Sequence, residues 1–185
     1  MKEKLFAVFI VFVFLAFQGC AGITPPPEGK APIPLKKANL EAVFEENDGL
    51  EVTWEDAKEV RDFYRGGVQQ KAKAEKRFRE KAYPEAMKLY QSSNEFFDKL
   101  LQYLDEDWAE YPLFEGTNIF FFPNLLVADN YLKMGLILRA MGREGPAQGN
   151  WKRALSFVKK SFRSERTEWG LSLQQELLGL LGSKI

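Results

Sequence analysis

At 185 residues the chain has room for about one domain, and its 26 Lys+Arg balance 26 Asp+Glu, so it has no excess of cations to neutralise a nucleic acid. It carries no histidine and one cysteine. Internal disulfides, Cys/His zinc sites and Ser-His-Asp or Cys-His catalysis are therefore excluded together.

Met1-Lys2-Glu3-Lys4 precedes an uninterrupted apolar run from Leu5 to Phe17. A charged start followed by a short apolar run has the layout of an export signal. The run stops at Gln18, short of the roughly 20 residues that a spanning helix needs. Cys20 follows Gly19, and Phe17-Gln18-Gly19-Cys20 resembles the lipobox of bacterial lipoprotein signals, with Phe17 where that family usually has leucine. The resemblance implies cleavage before Cys20, acylation of Cys20 and a lipid bilayer as a partner. Ordinary signal cleavage after Ala21 or Gly22, which discards Cys20, is the alternative. Ala21 stands where an aspartate would favour the inner membrane, so the resemblance implies the outer membrane, facing the periplasm. Loss of residues 1–19 removes two lysines and one glutamate from 26 and 26, leaving 24 basic and 25 acidic side chains.

Residues 20–38 hold Cys20, lipidated if the lipobox resemblance holds, and a linker carrying five of the nine prolines of the chain. An extended proline-rich segment at about 3.1 Å per residue holds a domain up to roughly 50 Å from the bilayer. Residues 39–185 form the expected domain. Asn39 to Val52 fits either a short helix or a brief strand. Thr53 with Asp56 reads as a capping box opening a helix through Ala57, Val60, Phe63, Tyr64 and Val68, which Gly66-Gly67 break or bend. A second helix passes through Ala74 and Phe78 to about Lys81, and its basic run from Gln69 to Lys81, interleaved with Glu75 and Glu80, reads as a solvated face. Pro84 suits the first turn of the next helix, whose apolar stripe is Ala86, Tyr90, Ser93, Phe97, Leu100, Leu101 and Leu104. Pro123 starts another helix, to about Met141. Arg143 to Asn150 is turn-rich, and helices follow over Trp151 to Arg163 and Glu165 to Leu181.

Two helical pairs share a pattern of small and bulky residues. The first has Ala74, Tyr83, Ala86, Tyr90 and Ser93; the second has Gly135, Trp151, Ala154 and Ser161, with about seven extra residues between its helices. This pattern resembles the tetratricopeptide repeat, pairing Tyr83 with Trp151, Ala86 with Ala154 and Ser93 with Ser161 at twice the usual 34-residue period. The expected fold class is therefore all-α, with antiparallel helical hairpins stacked as a short tetratricopeptide-like array. A plain antiparallel helical bundle is the alternative.

Asp105, Glu106, Asp107, Glu110 and Glu115 cluster in sequence, but no EF-hand spacing is present, and a solvated helix end accounts for them. No phosphate-binding or dinucleotide motif occurs. No metal, cofactor or nucleic-acid partner is expected, and no catalytic residue is assigned. Phe120, Phe121 and Phe122, with Trp108, Tyr111 and Phe114 nearby, form either part of the core or an exposed aromatic anchor for a partner. Trp169, Leu173, Leu177, Leu180 and Leu181 make a stripe that closes the array, docks a partner or lies on a membrane. The expected function is a non-enzymatic, membrane-anchored periplasmic scaffold that binds another envelope protein or peptide through a helical groove. A small-ligand-binding lipoprotein and a carboxylate-dependent cell-wall enzyme are the alternatives.

Overall fold

The computed structural model describes residues 39–45, 53–55, 57–105 and 119–182. The signal, lipobox, Cys20 and proline-rich linker lie outside these residues. Among the described residues the chain is all-helical, with six helices. Helix α1 (Leu40–Glu45) buries Leu40 and Phe44, and the Asn39 carboxamide oxygen caps it by accepting the Ala42 N–H at 2.7 Å. The ambiguous opening segment is thus helical over these residues.

Helix α2 (Lys58–Arg79) has Ala57 at its N-cap, without a side-chain cap bond, and Asp56 of the expected capping box lies outside the described residues. Its start is strapped instead by Arg61, whose guanidinium donates to the Trp54 and Glu55 carbonyls and meets the Glu55 carboxylate at 2.9 Å. The expected break at Gly66-Gly67 does not occur, because the two glycines let α3 (Tyr83–Asp105) approach the α2 backbone. A Cβ on Gly66 would stand 2.5 Å from Phe96, and one on Gly67 would stand 2.3 Å from Phe97. The glycines cost some helix propensity and make room for two rings.

Helix α4 (Phe121–Ala140) is buried on nearly every side. It starts two residues before Pro123, which occupies the first turn, where no N–H is required. Helix α5 (Glu144–Ser164) also starts earlier than its sequence indicates. Of the turn-rich segment, Arg143 is the N-cap and Glu144 to Asn150 are the first two turns: Pro146 again sits near the start, and Ala147 is buried. Helix α6 (Glu168–Leu180) is capped by Thr167, whose hydroxyl accepts the Gly170 N–H at 3.0 Å. It buries Leu173 and Leu177 against the array, with Trp169, Leu180 and Leu181 packed at their margin.

Three-residue turns fold α2 back on α3 and α4 back on α5, and the two turns are built alike. Lys81 and Gly142 take positive φ of 60° and 73°. Lys81 N–H donates to Phe78 O at 3.0 Å and Gly142 N–H to Arg139 O at 2.9 Å; the next amides, Ala82 and Arg143, reach back to Arg77 O and Leu138 O. These bonds satisfy the last carbonyls of each first helix. They align the hairpins at a spacing of 61 residues throughout, so the extra residues are not an insertion. In this register Ala86 matches Ala147, Tyr90 matches Trp151 and Ser93 matches Ala154. The sequence pairing of Tyr83 with Trp151, Ala86 with Ala154 and Ser93 with Ser161 is two helical turns out of step, because the start of α5 was hidden in glycines and a proline.

The matched pairs do the same packing. Trp151 lies over Gly135, where a Cβ would stand 2.2 Å from its indole nitrogen, and Tyr90 packs with Ala74 and Ala86. Lys71 stands over the Tyr90 ring at 5.7 Å and Arg139 over the Trp151 ring at 5.1 Å. Ala154 and Ser161 are buried, and Tyr83 is half-buried.

The Tyr90 hydroxyl is buried without a hydrogen-bond partner. Burial pushes the phenol up from 10.0, and Glu75 and Asp129 push it further against the opposing pull of Arg79. Its folded value lies above its unfolded value, so the associated stability is complete below about pH 10 and is lost as pH rises through the folded value. Tyr90→Phe should therefore gain about 1 kcal/mol at neutral pH by removing an unsatisfied donor, and the gain should grow above pH 10. Urea unfolding at the two pH values tests this; a loss of stability on substitution at neutral pH would show that the hydroxyl is satisfied.

Candidate functional site

Helix α2 packs on α3 and α4 on α5, the hairpins meet through α3 and α4, and α6 packs on α5 and α4. Helices α2, α4 and α6 line an open groove of about 340 Å³. Helix α2 contributes Tyr64, Val68, Lys71, Ala72 and Glu75; α4 contributes Phe122 and Leu126; α6 contributes Trp169. These α2 positions recur at helical spacing and so share one face.

Aromatic rings connect the three helices across the floor. Tyr64 meets Phe122 with centroids 6.2 Å apart, and Phe122 meets Trp169 at 5.7 Å. The row continues behind Tyr64 to Trp54 at 6.0 Å and from there to Phe44 at 5.2 Å. Burial raises the Tyr64 phenol above its usual value, a backbone hydrogen bond at Leu40 opposes this, and Glu41 adds to it. Val68 is 36% exposed at the mouth, one of two exposed large apolar residues among those described.

The polar end is a network tying three helices together. Lys71 of α2 pairs with Asp129 of α4, approaches Glu75 at 3.6 Å and donates to the Asn130 carboxamide oxygen at 3.0 Å. The Asn130 amide donates to Ser93 and Asn94 of α3 at 2.9 and 2.8 Å, and Ser93 donates to the Gly67 carbonyl at 2.8 Å. Lys71 and Asp129 side chains are only 12% and 15% exposed. A buried, fully bonded set of this kind fixes how the second hairpin seats on the first.

Of the expected aromatic anchor, Phe121 and Phe122 are buried within α4 and Phe120 is half-buried before it. They are not a free loop: Phe121 and Phe122 enter the core on adjoining positions of the first helical turn, their rings edge to face at 6.0 Å. Phe122 serves as groove floor rather than as a projecting anchor. Trp108, Tyr111 and Phe114, with Glu106, Asp107, Glu110 and Glu115 of the acidic cluster, lie outside the described residues. Among the described residues no group of three metal-ligating side chains converges, and no helix is long and apolar enough to cross a membrane.

The groove was not singled out from the sequence, although its parts were visible as ordinary stripe positions. The network had a better signal: Asp129-Asn130 interrupts a helix that is otherwise apolar almost all round, where a polar residue must find partners. No family model matches the chain, and neither curated proteins nor solved structures provide a match.

Proposed function

We propose that the protein is a lipid-anchored envelope scaffold that docks an apolar segment of another envelope protein in the groove between α2, α4 and α6. The observation that carries this reading is the aromatic floor of Tyr64, Phe122 and Trp169 with Val68 exposed at its edge. A groove lined by the first helix of each pair is how a tetratricopeptide-like array would receive a peptide or helix of its partner. The groove opens to solvent, which suits a chain segment better than a small ligand enclosed on all sides. The periplasmic address and membrane attachment rest on the export-signal layout and on the resemblance of Phe17 to Cys20 to a lipobox.

A photo-crosslinking residue at Val68 should trap one protein species in cells, and Ala72→Trp, which fills the groove, should abolish that product. The same residue at Gln91, exposed on α3, should give none. Equal products from both positions, or a Val68 product that survives Ala72→Trp, would remove the groove from the reading. For the anchor, Cys20→Ser should release the protein from membranes and eliminate its acyl mass; unchanged fractionation and mass would exclude lipidation.

A further inference from the structure

Net neutrality hides a segregation of charge. From Gly145 to Ser164 the chain carries five basic residues, Lys152, Arg153, Lys159, Lys160 and Arg163, and no acidic one. All five are exposed, and on α5 they fall within an arc of about 120° along roughly 16 Å of helix. Ser156 and Gly149, also exposed, lie within the same arc, so nothing bulky interrupts it. Among the described residues none of the five forms an ion pair. Arg153 and Lys160 lie instead over Tyr131 and Phe157, whose rings stack at 5.7 Å. Burial raises the Asp98 carboxyl of α3, against the electrostatic pull of Lys160 and with the push of Glu95. Helix α5 contributes no residue to the groove.

The geometry points to α5 as a face that lies against a bilayer containing anionic phospholipid. Five cations on one face, none in an ion pair among the described residues, are complementary to a plane of phosphodiesters, and half-buried rings at the edge suit the headgroup boundary. The choice of a bilayer over another polyanion rests on the lipid anchor read at Cys20, which would hold this face at high effective concentration near a membrane. Because α5 lines no part of the groove, contact through α5 leaves the groove open to a partner.

The test uses the full chain after signal removal with Cys20→Ser, so that no acyl group contributes. Co-sedimentation is measured with vesicles of phosphatidylcholine alone and of phosphatidylcholine mixed with phosphatidylglycerol. Binding is expected only to the mixed vesicles and should be lost at high salt. Lys152→Gln/Lys159→Gln/Arg163→Gln should weaken it about a hundredfold, at roughly fivefold per cation. Lys73→Gln/Lys76→Gln/Lys88→Gln, which removes three exposed cations elsewhere, should leave it unchanged, with circular dichroism showing both triple variants folded. No binding to the mixed vesicles, equal loss in both triples, or binding to a DNA duplex without binding to vesicles would overturn the α5 face. Absence of an acyl group on native Cys20 with vesicle binding intact would remove the anchor and leave the face standing.

Discussion

Gly135→Ala should destabilise the protein, although alanine is the better helix former. Ala in place of Gly inside a helix returns about 1 kcal/mol, whereas overpacking a filled core costs about 1–3 kcal/mol. Three atoms of the Trp151 indole lie within 2.9 Å of the new methyl position, and Trp151 is fully buried, with Arg139 against its ring. The ring has nowhere to yield, so the clash falls at the upper end and the net loss should be about 1–2 kcal/mol. Gly149→Ala on the open face of α5 provides the contrast: nothing lies within 4 Å of its added methyl, and it should gain up to about 1 kcal/mol. In urea unfolding, Trp151→Phe should cost less in the Gly135→Ala background than in the native chain, a coupling of about 1 kcal/mol. Equal cost in both backgrounds would mean that the two residues do not share the space.

Lys71→Met should be the most damaging single change among the groove-lining residues. It leaves the Asp129 carboxylate only 15% exposed and without its main counter-charge, and it removes a donor to Asn130. Orphaning one member of a buried pair costs about 3–5 kcal/mol, and the fringe of exposure on both side chains puts this case near 3. Replacing both members by apolar residues is far less costly, since the desolvation of two charges is then avoided. Lys71→Met/Asp129→Leu should therefore recover most of the loss. If the double variant is as unstable as the sum of the two singles, the pair is not coupled and Asn130 alone organises the junction. Because Lys71 also lines the groove, the double variant separates stability from docking: it should fold and yet alter what the groove accepts.

The α-helical class and the stripe of α3 were legible because both depend on local spacing. Ala86, Tyr90, Ser93, Phe97, Leu100 and Leu104 repeat at three and four residues, and all are buried. Helix limits were legible only where local chemistry agreed with packing. Gly66-Gly67 reads as a break and is a contact; Gly145-Pro146 and Gly149 read as a turn and are helix. In both places burial elsewhere on the segment, by Val60 and Ala74 in α2 and by Ala147 and Trp151 in α5, outweighs the local cost of glycine. The phenylalanine run was legible as core or anchor but not which; Phe121 and Phe122 are helical and buried, and Phe122 alone of the three lines the groove.

By itself the sequence determined that the domain is helical, excluded histidine- and disulfide-dependent chemistry, and marked the residues whose size and spacing make them core. Periodicity within one helix carries that information, because side chains three and four apart share a face. Only the tertiary structure decided the 61-residue match between hairpins, the junction of Lys71, Asp129 and Asn130, the row of Tyr64, Phe122 and Trp169, and the exposure of the basic face of α5. Each of these depends on which face of one helix meets which face of another, and residues as far apart as Tyr64 and Trp169 acquire a common surface only when the helices pack.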